Sequence, residues 1–249
     1  MIKFFRHIRR SLINQNKMGK YLKYAIGEIL LIVLGILLAL YLNNLNGKNQ
    51  LKKDEIKVLL EIKSNLNSSI ASFNRTINTE IDYLNQNIKI LDYITNNKPY
   101  SSDLDHAFGV YFWTLSSNPV TGGYEYLKSR GIELVQNDIL RKNISFMFEN
   151  EFSIIKNENE LWANNLQQNI TYPYHVNHFI KYFPKNTDSL GVEYAKPFDY
   201  QDLVKDKIFE SINTEIISNR RWNIKSLEEL VIRMNVLINQ IDEELKRLQ

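Results

Sequence analysis

Four histidines are the first residues to ask for chemistry. His175 and His178, in TYPYHVNHFIKYF, stand three apart and would share one face of a helix. A metal site needs at least one or two further ligands. Past the first 23 residues only His106 remains, so Asp or Glu would have to complete the set. No metal is therefore expected, and His175 and His178 are the candidates should one bind. Other reactive patterns are missing. There is no cysteine, which excludes disulfides, thiolate ligands and lipidation on sulfur. No HExxH, GxSxG or glycine-rich phosphate loop occurs, so no catalytic residue, no cofactor and no enzymatic activity are expected. Arg220 and Arg221, before Trp222, have the donors to grip an anion or lie on a solvated turn. Tyr111, Phe112 and Trp113 with Tyr124 and Tyr126 either line a ligand pocket or form core and a lid over bundle ends.

One ionisable residue stands out by its surroundings. Residues 24–42 read YAIGEILLIVLGILLALYL, 19 residues whose sole ionisable side chain of acid or base type is Glu28. At about 1.5 Å per residue this run is roughly 28 Å long, against a hydrocarbon core of about 30 Å. It reads as an uncleaved membrane anchor, since a cleaved signal has a shorter apolar run and small residues at its cleavage site. Glu28 lies about 6 Å inside the near end of the run. It either pairs with Lys20 or Lys23 of a neighbouring chain or partner, or snorkels to the interface. Gly35 and Ala39 form a small-xxx-small pair, with Gly27 two turns earlier on a similar side. The expected membrane-contact or association residues are thus Glu28, Gly27, Gly35 and Ala39.

Charge sets the expected orientation. Lys3, Arg6, Arg9, Arg10, Lys17, Lys20 and Lys23 precede the run, with no acid among them. That leaves 24 of the 31 basic residues against 28 acidic ones, a net of −4 over the rest. The overall +3 is therefore a topology signal and not a nucleic-acid footprint. The N-terminus is expected in the cytoplasm and the bulk of the chain outside it, with membrane lipid as one partner.

The elements that must position these residues read as helices. Nine glycines and five prolines leave few turns, which favours long helices over many strands. Residues 1–23 form a basic amphipathic segment with Phe4, Phe5, Ile8 and Leu12 on one side. Residues 43–249 are expected to be one all-α domain. NNLNGKNQ, with Gly47, is either a short hinge or a continuation of the membrane helix. From Ile56 the apolar positions Leu59, Ile62, Leu66, Ile70, Phe73, Ile77, Ile81, Leu84, Ile88 and Leu91 recur every three or four residues, ending at Asn97-Lys98-Pro99. A short aromatic helix follows, capped by Ser101 or Ser102 and stopped at Asn118-Pro119. Thr121 and Gly131 bracket another, and Asn137 or Asp138 opens a third long element. Its stripe is Leu140, Ile144, Phe148, Phe152, Ile155, Trp162 and Leu166, with Pro173 as kink or end. Residues 182–200 read as a long loop. The last helix carries a heptad from Ile224 through Leu227, Val231, Met234, Ile238, Ile241 and Leu245 to Leu248, widened by Leu230 and Leu237. The expected fold is all-α: one N-terminal transmembrane helix and an elongated antiparallel helical bundle of four-helix type.

The opening MIKFFRHIRRSLINQNKMGKYLKYAIGEILLIVLGILLALYLNN and the block YEYLKSRGIELVQNDILRKNISFMFE resemble a group of small Bacteroidota membrane proteins, the domain-of-unknown-function family numbered 6090. Tyr41-Leu42 stand where that family most often has Gln-Ile. The resemblance implies an inner-membrane protein with a periplasmic helical domain and implies no activity. Asp188-Ser189-Leu190 matches a short O-glycosylation acceptor pattern of such bacteria. Two functions follow as expectations. The leading one is a protein-interaction or scaffolding module with a protein partner, or self-association through the membrane helix. The alternative is a ligand-sensing periplasmic domain signalling through a membrane partner.

Overall fold

The computed structural model describes residues 18–183 and 193–249. Residues 1–17 of the amphipathic segment expected over 1–23, and the acceptor pattern around Ser189, lie outside them. Helix accounts for 83% of the described residues, so the all-α reading holds at that level. The chain divides into two compact units, residues 1–54 and 55–249.

Helix α1 spans Met18–Thr95 without interruption. It continues through Gly47, so no hinge forms there. Within the first unit it is long and apolar enough to cross a membrane, with a window of mean hydropathy 2.6, none of it buried. The helix ends by a residue-specific device. Asn97 adopts φ 47°, a left-handed turn that asparagine tolerates. Lys98 N–H then bonds the Tyr93 carbonyl at 2.9 Å and Asn97 N–H the Ile94 carbonyl at 3.2 Å, which closes a Schellman cap.

In the second unit Ser101 caps a 3₁₀ turn, Ser102–Leu104, which leads into α2 (Asp105–Val110). This element stops at Val110, well before Asn118-Pro119. Helix α3 is Gly122–Arg130. Thr121 does not cap it with its side chain; Asn65 Oδ1 on α1 accepts from Gly123 N–H instead, at 2.6 Å. Gly131 ends it at φ 97°, where a Cβ would be strained. Asn137 opens α4 (Asp138–Phe146), its side chain accepting from Ile139 and Leu140 N–H.

Residues 138–178 are helical throughout but not uniformly α. Helices α4, α5 (Phe152–Ile154), α6 (Leu161–Leu166) and α7 (Tyr172–His178) are joined by π turns at Met147–Glu151, Ile155–Glu160 and Gln167–Thr171. Each π turn accommodates an extra residue and rotates the following face by about 100°. Leu140, Ile144, Phe148, Phe152 and Ile155 are buried as their spacing says, whereas Trp162, beyond the second π turn, is 46% exposed. Beyond the turns the inward positions become Thr171, Tyr174 and His175. Pro173 does not end the rod; it sits in the first turn of α7, directly after the third π turn.

The region read as a long loop contains a strand. β1 (Phe179–Tyr182) pairs antiparallel with β2 (Tyr194–Pro197), Phe179 opposite Pro197 and Tyr182 opposite Tyr194. A four-residue strand that ends in a proline leaves too little periodicity to see in sequence. Asp199 then caps α8 (Tyr200–Leu203), and Asp206 caps α9 (Lys207–Leu248).

Side-chain pairs give the helix directions. Lys63 meets Asp242, Glu80 meets Arg220 and Asn87 meets Asn213, so α9 runs antiparallel to α1. Asn143 with Gln240 and Asn137 with Glu244 make it antiparallel to the 138–178 rod as well. Two apolar clusters result. One joins Leu59, Leu66 and Phe73 of α1 to Leu127, Ile144 and Leu227–Leu248 of α9. The other joins Ile90 and Ile94 to Phe108, Tyr111, Phe179 and Phe209.

Candidate functional site

Between the two apolar clusters several core-facing positions are polar. On α1 the buried face passes from Ile77 to Glu80, Asn87 and Ile90. The apolar stripe read from sequence drifts off it, since Ile81 and Ile88 are each 38% exposed. On α9 the same level holds Asn213 and Arg220, both buried.

Arg220 organises this layer. Its Nη1 donates to Glu80 Oε2 at 2.5 Å and its Nε to Asn87 Oδ1 at 3.0 Å. Its Nη2 donates to the carbonyls of Trp113 at 2.6 Å and Tyr111 at 3.2 Å. Asn87 Nδ2 bonds Asn213 Oδ1 at 2.8 Å, and Asn213 Nδ2 returns to the Asn87 carbonyl at 2.9 Å. The guanidinium also lies 5.1 Å from the Tyr83 ring centre. Burial raises the Tyr83 phenol above its ordinary range. The two side chains of the ion pair are each 4% exposed. Here a planar five-donor fork meets one carboxylate, one amide and two carbonyls left by the end of α2, an arrangement lysine cannot copy.

What the layer can do chemically is limited. Glu80 is held by Arg220 and Asn223, and every acceptor around Arg220 is engaged. The adjoining cavity, lined by Glu80, Thr114, Gln167, Asn219 and Arg220, has about 20 Å³, room for one water. It lies among α1, α9, the segment after α2 and the rod, and is too small for an organic ligand of ordinary size.

The histidines separate. His175 is 2% exposed, with its ring 4.4 Å from Phe112 and stacked 5.0 Å from Phe179. Neither ring nitrogen finds a partner. Burial, and then the charge of Lys181, lower its pKa to about 4. His178 instead faces solvent, stacked on Tyr174 at 3.9 Å, with Nδ1 at 2.8 Å from the Tyr174 carbonyl. The two lie three apart on α7, but His175 points into the core and His178 to solvent, so the two rings do not converge on one site. Among the described residues no group of three or more His, Asp or Glu side chains could hold a metal.

The other candidates are placed as follows. Arg220 neither grips a free anion nor lies on a turn; Arg221 and Trp222 are exposed. Tyr111 and Phe112 belong to one apolar cluster and Tyr124 to the other, so the five aromatics form no common pocket. Gly27 and Gly35 have open space where a Cβ would stand, and Glu28 is partly exposed within the chain. Ala39 is exposed. An open groove of about 420 Å³ is lined by Tyr174, His178, Phe198, Asp199, Asp202 and Asp206. Two of its acids are taken by helix caps, and Asp206 also accepts from Tyr174 Oη at 2.5 Å.

Sequence patterns missed one surface. Residues 161–180 contain no Asp, Glu, Lys or Arg. Leu161, Trp162, Ile170, Tyr172, Val176 and Ile180 in that stretch are all 46–59% exposed. The lack of charge was visible in the sequence; the exposure was not, because the π turns decide it. Comparison with family models, curated proteins and solved structures returned no match.

Proposed function

We propose that this chain is a single-pass membrane-anchored protein whose helical domain is a protein-interaction or scaffolding module, without enzymatic activity. The observation that carries the reading is the uncharged, apolar and exposed stretch 161–180. Interface cores are depleted in charge and enriched in aromatic residues relative to other surface. Its support is strengthened by the polar layer at Arg220, whose adjoining cavity has room for one water and whose hydrogen bonds join α1, α9 and the segment after α2. In this reading the anchor is residues 24–42, the N-terminal flank is cytoplasmic by its seven positive charges, and the elongated bundle stands in the periplasm of an inner membrane. The resemblance to the family numbered 6090 points the same way.

The test uses the full chain in its membrane, with a photo-crosslinking residue in place of Asn169. An adduct with a defined protein, lost when Trp162→Glu and Ile170→Glu are added, is expected. No adduct there, while the same probe at Asn78 on α1 captures a partner, refutes this surface as the contact.

A further inference from the structure

We infer that the outer edge of β1 takes an extended segment of a partner protein as a third strand, which gives the partner's chemistry within the interaction reading above and rests on that reading. The register fixes which backbone groups face outward. Phe198 N–H bonds the His178 carbonyl at 2.8 Å, so the ladder has a hydrogen-bonded pair at 178 and 198. In an antiparallel ribbon such pairs alternate with non-bonded ones. Ile180 with Lys196 and Tyr182 with Tyr194 are therefore bonded pairs, while Phe179 with Pro197 and Lys181 with Ala195 are not. The N–H and carbonyl of Lys181 thus point away from β2, and those of Ala195 point away from β1.

The two outer edges of this two-stranded sheet differ. That of β2 is closed. Pro197 has no N–H to offer there. His106 Nδ1 lies 3.1 Å from the Glu193 carbonyl oxygen. Helix α2 packs so close that a Cβ on Gly109 would stand 2.3 Å from that same oxygen. On β1 the Phe179 N–H is taken by the His175 carbonyl. The Phe179 carbonyl and both backbone groups of Lys181 have no backbone partner among the described residues. The sheet can therefore grow at β1 and not at β2.

Backbone geometry selects the occupant. An extended chain offers donor and acceptor at the spacing of these groups, whereas a helix keeps its own backbone bonded. The neighbouring side chains suit an added strand. Ile180 and Phe183, on either side of Lys181 and Tyr182, are 59% and 77% exposed and give apolar contact to its alternate residues. The Lys181 ammonium is already engaged by Glu193 and lies 5.1 Å from the ring centres of Phe112 and Trp113. Along the chain the edge continues the uncharged stretch 161–180. A second copy fits less well. Edge-to-edge pairing that used both Lys181 groups would set Lys181 opposite Lys181, with like charges facing each other.

Lys181→Pro removes the outward N–H and leaves the ladder to β2, in which that N–H has no part. Lys181→Met keeps the N–H and loses the ammonium, so it controls for the ion pair with Glu193. The probe is a phage-displayed library of random peptides of about nine residues, long enough for one strand. It is panned on the full chain in lipid nanodiscs, and the enriched peptides are synthesised. Wild type and Lys181→Met should bind them alike, and Lys181→Pro should weaken binding about tenfold. N-methylation stepped along the peptide should reduce binding at every second residue, because only alternate N–H groups of an added strand face β1. This readout on the wild-type chain does not depend on how the proline variant folds. Equal binding to Lys181→Pro, an N-methyl scan without the two-residue alternation, or a library that yields no binder overturns the inference. So does a dimer of the chain alone that Lys181→Pro abolishes, since the occupant is then a second copy. If Lys181→Pro still gives the wild-type photo-adduct at Asn169, strand addition fails and the interaction reading stands; if neither chain gives an adduct, that reading fails too.

Discussion

Arg220→Met removes the guanidinium that neutralises Glu80 and that caps the Tyr111 and Trp113 carbonyls. The Glu80 carboxylate stays buried, with only Asn223 Nδ2 at 3.4 Å to bond it. Removing one partner of a buried ion pair costs about 3–5 kcal/mol. The Trp113 carbonyl, left without its 2.6 Å donor, adds roughly 1–3 kcal/mol where water does not reach it. Domain stabilities are about 5–15 kcal/mol, so the single variant should approach unfolding. The double variant Glu80→Gln/Arg220→Met discards the stranded charge. It should therefore be more stable than Arg220→Met alone, although it carries one more substitution. Urea unfolding of the full chain in mild detergent, followed by circular dichroism, measures all four corners of the cycle. A loss below about 1 kcal/mol for Arg220→Met would refute the reasoning. So would a double variant less stable than the single, since both outcomes mean that the pair is screened by solvent.

Protonation of His175 gives a second expectation. Its pKa is lowered to about 4, against about 6.5 when unfolded, chiefly by burial with Lys181 adding and Glu193 opposing. The folded state resists the proton, so stability is full above pH 6.5 and falls as pH drops toward 4, by at most about 3 kcal/mol. His175→Phe should flatten that part of the pH profile, and an unchanged slope would place the loss elsewhere. Gly109 on α2 lies against the hairpin, and an added Cβ would stand 2.3 Å from the Glu193 carbonyl oxygen. Gly109→Ala should cost about 1–3 kcal/mol or more by forcing backbone apart, seen as faster proteolysis near β2; wild-type resistance would contradict the packing. Orientation is checked by a reporter active only outside the cytoplasm, fused after Gln249; activity is expected, and silence with a working cytoplasmic reporter at the same point reverses the topology.

The anchor-like run, the helical class and some of the helix ends were legible in the residues themselves. They depend on local causes: the length of an apolar run, a three-to-four spacing, Asn97 and Gly131 at positive φ, Asn137 as a cap. From Ile224 on, the last helix was read almost residue by residue because its heptad faces one uniform apolar core. The polar layer was not legible. Glu80, Asn87, Asn213 and Arg220 look like surface residues in any periodicity analysis, and 133 positions separate Asn87 from Arg220. Only the antiparallel pairing of α1 and α9 makes each the partner of another, so that burial becomes tolerable. The exposure of Trp162 and the inward turn of His175 were likewise settled by tertiary structure. Three π turns reset the helical phase, and a helix's inward face is defined only by what it packs against.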